Sequence, residues 1–373
     1  MRILHINCNY IFSNLHQTMI ENLNKRDIQS DVFVPTYDAN RSIVNVKSYV
    51  RVVECFKKWD RLFYYKKQDK IIKAICKTYR CDQYECIHAY TLFSDGNVAM
   101  NLSETHGIPY VVAIRNTDVN AFFRLMPHLR RRGIEIMRKA SAIFFLSNAY
   151  LDQVLKKYIP VKFHDEILQK TYIIPNGIDD FWLNNSIVQN KSIDIKNGVK
   201  LIYAGRIDKN KNIPTTQKAM ALLSDRGINT TLTVVGKVED KKEYLKILKD
   251  KRTKYLPAMP KEKLIDEYKT ADIFVMPSFT ESFGLVYAEA MSQGLPVIYS
   301  EGQGFDKQFP EGTVGYHVSA HNAENVADGI ERVIKNYSDI VPNTVPSAKI
   351  FNWTEIASKY DKIYKTILGE SGD

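Results

Sequence analysis

Short apolar runs recur along the whole chain and alternate with helix-length segments. In the first half they fall at residues 2–7 (RILHIN), 31–35 (DVFVP), 86–90 (CIHAY), 110–114 (YVVAI), 142–147 (AIFFLS) and 172–177 (YIIPNG). In the second half they fall at 200–205 (KLIYAG), 231–236 (TLTVVG), 253–257 (TKYLP), 272–278 (DIFVMPS), 296–300 (PVIYS) and 315–319 (GYHVS). Most are short, β-branched or aromatic, and apolar at successive positions. That pattern predicts parallel strands covered on both faces. Strand–helix alternation in two blocks predicts an α/β protein with two doubly wound, Rossmann-like domains.

The seam is expected near residues 179–198, a polar stretch rich in Asn and Ser with weak periodicity. The expected layout is an N-terminal domain over 1–182, a linker over 183–198 and a C-terminal domain over 199–350. Residues 351–373 form a last segment, in which Trp353, Ile356, Tyr360, Ile363 and Ile367 recur at helical spacing. Thr354 is placed as the N-cap of that helix.

The stretch 278–297, SFTESFGLVYAEAMSQGLPV, carries the chemistry. A strand ends at Ser278, a loop follows, and a helix is expected from near Ser282 to a cap at Gly294, with Pro296 beyond. Glu281 then stands at the mouth of the helix and Glu289 inside it. The N–H groups around Ser282, Phe283, Gly284 and Leu285 suit an anion such as a phosphate, and Gly284 lets backbone come close to a ligand. Glu289 can accept from a pair of sugar hydroxyls. Glu281 can contact a second sugar or a developing positive charge. Surface glutamates on helices are common, so this spacing gains weight only beside other features.

Three such features exist. Gly205 and Arg206 close a strand, with Lys211 five residues on, a cationic pair able to bracket a diphosphate. Residues 173–179 (IIPNGID), including Asn176, end the first block in a turn. The segment 258–260 (AMP), with Met259 at its centre, can lie against a nucleotide base through backbone groups.

Together the PNGID turn, GR followed by K-N, ADIFVMPS, and E-x7-E with GLPV behind it resemble the retaining family 4 glycosyltransferases of GT-B fold. The likeness covers nearly the whole chain and is most specific over 172–297. It implies two domains facing across a cleft, with the last helix crossing back to the first domain. It further implies that Arg206 and Lys211 neutralise the donor diphosphate, that Glu289 holds the ribose, and that Glu281 contacts the donor sugar. The implied substrates are a nucleotide diphosphate sugar and a glycan or lipid-linked acceptor, as in bacterial surface polysaccharide synthesis. No D-x-D occurs in the sequence, so neither a metal nor another cofactor is expected, and fixed cations and the helix dipole take the metal's place. The absence of the P-loop and dinucleotide glycine patterns takes support from the ATP and dinucleotide readings.

The chain departs from the family in its first half. Ser13 and Asn14 stand in the first loop where many members carry a glycine pair. Arg115 stands after strand 110–114 where many carry a His, with Asp118 following. Arg115 is assigned to charge on the sugar or phosphate, and Asn14, His88 and Asp118 to the acceptor side; His88 reads equally well as a satisfied core histidine. A nucleotide-sugar epimerase and a non-catalytic subunit of the same fold remain alternatives.

Charge changes the picture once more. The net charge is +10, and much of it lies in residues 57–73 and 124–139, where Lys and Arg mix with Trp59, Leu62, Phe63, Tyr64 and Tyr65. Such stretches suit an anionic membrane surface, or serve as solvated helix faces. Nucleic acid is not expected, since no recognised binding motif accompanies the charge. No run approaches the ~20 apolar residues that span a bilayer, and the N-terminus does not read as a signal peptide. A cytoplasmic protein, peripheral at the inner face of the cell membrane, is expected. The five cysteines contain no C-x-x-C, and Cys76, Cys81 and Cys86 find no His/Cys pair in sequence to complete a zinc site.

Overall fold

The computed structural model describes residues 1–12, 14–38, 47–187, 192–193 and 195–370. Ser13, residues 188–191 and 194 of the polar stretch, and the tip 371–373 lie outside the described residues.

Thirteen strands form two parallel sheets among the described residues. Those of the first sheet are β1 (Arg2–Ile6), β2 (Gln29–Thr36), β3 (Val50–Glu54), β4 (Cys86–Ala89), β5 (Tyr110–Ile114), β6 (Ala142–Phe145) and β7 (Thr171–Ile173), in the order β3-β2-β1-β4-β5-β6-β7. Those of the second are β8 (Val199–Ala204), β9 (Thr230–Gly236), β10 (Thr253–Pro257), β11 (Ile273–Val275), β12 (Val297–Ser300) and β13 (Gly315–Val318), in the order β10-β9-β8-β11-β12-β13. Both orders reverse beside the sheet's first strand, the arrangement that places ligands at the carboxyl ends of the strands.

The chain divides into two compact units. The first contains 1–146, 150–176 and 353–373; the second contains 147–149 and 177–352. In the first unit the period of two along each strand feeds two separate cores. Leu4, Ile6, Tyr110, Val112 and Ile114 enter one layer, while Ile3, Val111 and Ala113 enter the other. The second layer is covered by the helix Leu15–Asn24 and by the terminal helix Trp353–Leu368, which contributes Trp353, Ile356, Tyr360, Ile363 and Tyr364. Each such side chain, fully buried, is worth roughly 1.5–3 kcal/mol of transfer free energy. The terminal helix starts at Trp353, so Thr354 lies in its first turn and not at its cap.

Two further differences from the sequence reading have clear causes. β3 was not expected. It is an edge strand whose Val50 and Val52 pack on one layer and Val53 on the other, and Arg51 and Glu54 interrupt the apolar pattern. The polar stretch after 178 begins with a helix, Asp180–Asn184. Asp179 caps it by accepting from the Phe181 N–H at 2.8 Å, and Trp182 is buried against Tyr268.

Candidate active site

In the second unit the carboxyl ends of β8 and β11 carry the residues singled out above. After β8, Gly205 leads to Arg206, whose side chain is 66% exposed and only 3.9 Å from Asp208. Asp208 caps the next turn by accepting from the Lys211 N–H at 3.1 Å. Lys211 is largely covered and reaches across to Glu281, with Nζ 2.5 Å from the carboxylate. The sequence distance between the two is bridged by asparagines that sequence reasoning missed. Asn210 donates to the Thr280 carbonyl at 2.8 Å, and its Oδ1 accepts from the Thr280 N–H and hydroxyl at 3.0 and 2.7 Å. Asn212, in a left-handed conformation at φ 58°, is buried and donates to the carbonyls of Pro277 and Ala320 at 2.9 and 2.6 Å. These bonds tie the cationic loop to the glutamate loop.

The glutamate loop is also held from its other side. Gln303 accepts from the Glu281 N–H at 3.0 Å, and the Gly304 N–H donates to the Glu281 carbonyl at 3.1 Å. The helix expected from Ser282 starts instead at Leu285 and ends at Ser292. Gly284 takes φ 80°, which turns the chain immediately before the first helical residue. Ser282 is exposed and Phe283 buried against Phe305 and Phe351. Gly284, Leu285 and Val286 thus carry the helix mouth, whose dipole favours an anion, while the Tyr287 N–H is donated to the Gly284 carbonyl at 2.9 Å. Gly294, at φ 79°, ends the helix as expected.

Glu289 lies on this helix, with Asp179 and Lys261 the charges nearest in effect. Burial, and then Asp179, push its carboxyl up from an ordinary 4.5 to about 7, against the pull of Lys261. Asp179 and Lys261 pair at 2.5 Å, and the Lys261 ammonium stands 5.0 Å from the centre of the Phe181 ring. Met259 lies half-buried between β10 and the helix Lys261–Thr270. The raised value has a sign for stability. Folding favours the protonated carboxyl, so its contribution is complete below 4.5 and is lost as pH rises through about 7. Glu289→Gln is therefore expected to raise the unfolding midpoint relative to the parent at pH 8 and to narrow that gap at pH 4. Parallel pH profiles for the two proteins would overturn the assignment.

In the first unit the assigned residues fall into a separate cluster. Arg115, after β5, donates to Asn176 Oδ1 at 3.1 Å and approaches the Tyr90 carbonyl. Asp118 is buried and accepts from the N–H groups of Arg115, Leu92 and Phe93 at 2.9–3.2 Å. Burial still pushes its carboxyl up to about 6. His88 is fully buried, bonds the Tyr364 hydroxyl at 2.6 Å and stacks on Tyr90 at 4.3 Å. Burial keeps its imidazole neutral. Both side chains are engaged inside the unit. Asn14 is exposed at the start of the helix Leu15–Asn24 and caps it with no side-chain bond. His16, which the sequence gave no reason to select, lies edge-on to Tyr90 at 4.9 Å, held neutral by burial and by the Arg115 charge.

Two doubly wound domains, the second carrying a lysine–glutamate pair at a helix mouth, have the architecture of the GT-B fold. Residues 16–180 match the model of Glycosyltransferase Family 4, and residues 187–344 match that of glycosyl transferases group 1. The two models tile nearly the whole chain, and the chain belongs to the family 4 glycosyltransferases. A D-inositol 3-phosphate glycosyltransferase of Paenarthrobacter aurescens is 26% identical over 299 residues, spanning 74% of this chain and 71% of its own. Among solved structures, sucrose-phosphate synthase from Thermosynechococcus elongatus shares the fold with a TM-score of 0.76 at 19% identity over 100% of both chains. Anabaena HepE in complex with UDP-glucose does so with a TM-score of 0.67 at 16% identity, over 98% of this chain and 100% of that one.

Proposed function

We propose that the protein is a retaining glycosyltransferase that moves a sugar from a nucleotide diphosphate sugar to a glycan or lipid-linked acceptor in bacterial surface polysaccharide synthesis. The observation that carries the reading is the Lys211–Glu281 pair, clamped by Asn210 and Gln303 at the mouth of the helix Leu285–Ser292. The bond from the anomeric carbon to the diphosphate oxygen breaks, and the acceptor oxygen bonds that carbon. The acceptor proton passes to the departing phosphate. Lys211, Arg206 and the helix mouth stabilise the negative charge that grows on the diphosphate, which lowers the barrier because they are already in place. Glu281, steered by Lys211, meets the donor sugar and its developing positive charge.

Glu289 accepts from the two ribose hydroxyls. That role favours its carboxylate form, so nucleotide binding lowers a value that burial has raised. Arg115, oriented by Asn176, serves charge on the sugar or phosphate. The family relative is named for D-inositol 3-phosphate, and HepE, alike in fold, was crystallised with UDP-glucose, a nucleoside diphosphate donor. The test is incubation with a panel of nucleotide sugars and acceptors. Acceptor-dependent nucleotide release, with the donor's anomeric configuration kept in the product, is expected. Binding of no nucleoside diphosphate would overturn the reading, and sugar-nucleotide interconversion without acceptor would replace transfer with epimerisation.

The acceptor side is assigned to a membrane surface. No helix among the described residues is long and apolar enough to cross a membrane. In the first unit, however, Trp59, Leu62 and Phe63 are 64%, 82% and 56% exposed beside Lys57, Lys58, Lys66 and Lys67. Leu125 and Met126 are exposed ahead of Arg130–Lys139. Exposed apolar side chains rimmed by cations fit an anionic leaflet, with each cation contributing on the order of 1 kcal/mol. Salt-sensitive binding to anionic vesicles, and little to neutral ones, is expected. Changing the exposed Lys57, Lys58 and Lys66 together to Glu should release the protein without lowering its unfolding midpoint. Equal sedimentation of the two proteins with anionic vesicles would identify these lysines as a solvated face.

A further inference from the structure

Three side chains that no step of the proposed reaction uses converge in the first unit. Cys76 lies in the last turns of the helix Tyr64–Thr78 and is exposed. Cys81 opens the short turn Cys81–Gln83 and is buried. His106 is the last residue of the helix Gly96–His106 and is exposed. Gly107 follows it at φ 71° and turns the chain away. The two sulfurs and a ring nitrogen of His106 all lie within 4.8 Å of one another. In sequence His106 is remote from both cysteines, so spacing alone hides the set.

We propose that Cys76, Cys81 and His106 form a zinc-class metal site, with two thiolates and one imidazole as protein ligands and the fourth position held by water. The donor chemistry selects the ion. Thiolate sulfur with imidazole nitrogen suits a borderline or soft cation and excludes magnesium and calcium, which take oxygen ligands. The separation suits it too. A tetrahedral ion with bonds of about 2.0–2.3 Å needs its ligand atoms about 3.3–3.8 Å apart, so a closure of about 1 Å, made by the exposed Cys76 and His106 side chains, completes the set. A cation here also meets the negative end of the helix Gly96–His106, and Asp82 lies close enough to feel the His106 charge.

Binding is proton-coupled. The thiolate, not the thiol, is the ligand, so one divalent cation and two thiols give a bis-thiolate complex and two protons in solution. The bound ion would tie the end of the helix Tyr64–Thr78 to the end of the helix Gly96–His106. The first of these carries Lys66 and Lys67 of the basic face, so the site would stiffen the element assigned above to the membrane. The inference itself needs no membrane and no donor.

The test uses the full chain, stripped of metal and kept reduced, titrated with cobalt(II) and then zinc(II). One equivalent of cobalt should give thiolate charge-transfer absorption in the near ultraviolet and the visible bands of a tetrahedral ion. Zinc should abolish both, release two protons per ion bound and raise the unfolding midpoint by several degrees. Cys76→Ser and His106→Asn, both at exposed positions, should each remove the tetrahedral spectrum and weaken zinc binding at least tenfold while leaving the metal-free midpoint unchanged.

The oxygen-rich cluster Asp306, Glu311 and His317 in the second unit would bind cobalt without thiolate bands, and that outcome would overturn the proposal. Absence of stoichiometric binding would overturn it as well. So would a Cys76–Cys81 disulfide, seen as a loss of two mass units, in protein isolated from a reducing cytoplasm.

Discussion

Lys211→Ala is expected to lower kcat/KM for sugar transfer by about 2–4 kcal/mol, roughly 30- to 1,000-fold, beyond the stability it loses by leaving a nearly buried carboxylate unpaired. The side chain is only 12% exposed, and its partner Glu281 is 13% exposed. A charge in such a place acts on the departing diphosphate with little screening by water. The substitution also leaves the Glu281 carboxylate without its strongest contact. The loop itself should stay in place, because Asn210 and Asn212 hold it through bonds that do not involve Lys211. Arg206→Ala should fall in the same range. Its guanidinium is exposed and only loosely tied to Asp208, which leaves it free to close on a phosphate. Unchanged turnover in both variants would remove the diphosphate role. A fall in turnover of Lys211→Ala no larger than its unfolded fraction accounts for would make that residue structural instead.

Gly236→Ala is expected to cost about 1–3 kcal/mol of folding free energy or more, the range of core overpacking. A β-carbon at this position would sit 1.7 Å from the Gly205 carbonyl oxygen. Both groups are backbone at the ends of paired strands β8 and β9, so no flexible side chain can yield. The strand ends must part, and Gly205 carries Arg206 with it. Donor use should therefore fall by more than the unfolded fraction accounts for. Urea denaturation checks the first effect, and donor KM measured well below the midpoint checks the second. A variant as stable as the parent would mean that the two strand ends separate at little cost.

The sequence made the strands legible wherever both faces are buried, because an unbroken apolar run is the direct trace of two covering layers. β3 escaped because, at the sheet edge, Arg51 and Glu54 stay exposed and break its apolar run into Val50, Val52 and Val53. Gly284 was legible as a junction, yet the helix start was placed early, since a run of residues such as Ser282-Phe283 does not reveal a left-handed glycine. Trp182 shows the other limit. A polar neighbourhood concealed a buried anchor whose partner, Tyr268, lies far along the chain. The candidate site divides along the same line. Arg206, Lys211, Glu281 and Glu289 stand in local patterns. Asn210, Asn212 and Gln303 act only on backbone groups brought close by the fold, and His106 meets the cysteines only in space.

The terminal helix has a consequence for how the molecule is made. One layer of the first unit's core is closed by Trp353, Ile356, Tyr360, Ile363 and Tyr364, whereas the rest of that unit is complete by Asn176. A ribosome working at about 5–20 residues per second needs on the order of ten to forty seconds to cover the gap. During that interval Ile3, Met19, Ile20, Leu23 and Val111 lack the aromatic cover they have in the finished molecule. The second unit, 177–352, emerges whole before the first can be sealed. A nascent chain stalled ahead of Trp353 therefore presents a sticky apolar surface on the half that was translated first, the kind of surface that invites aggregation.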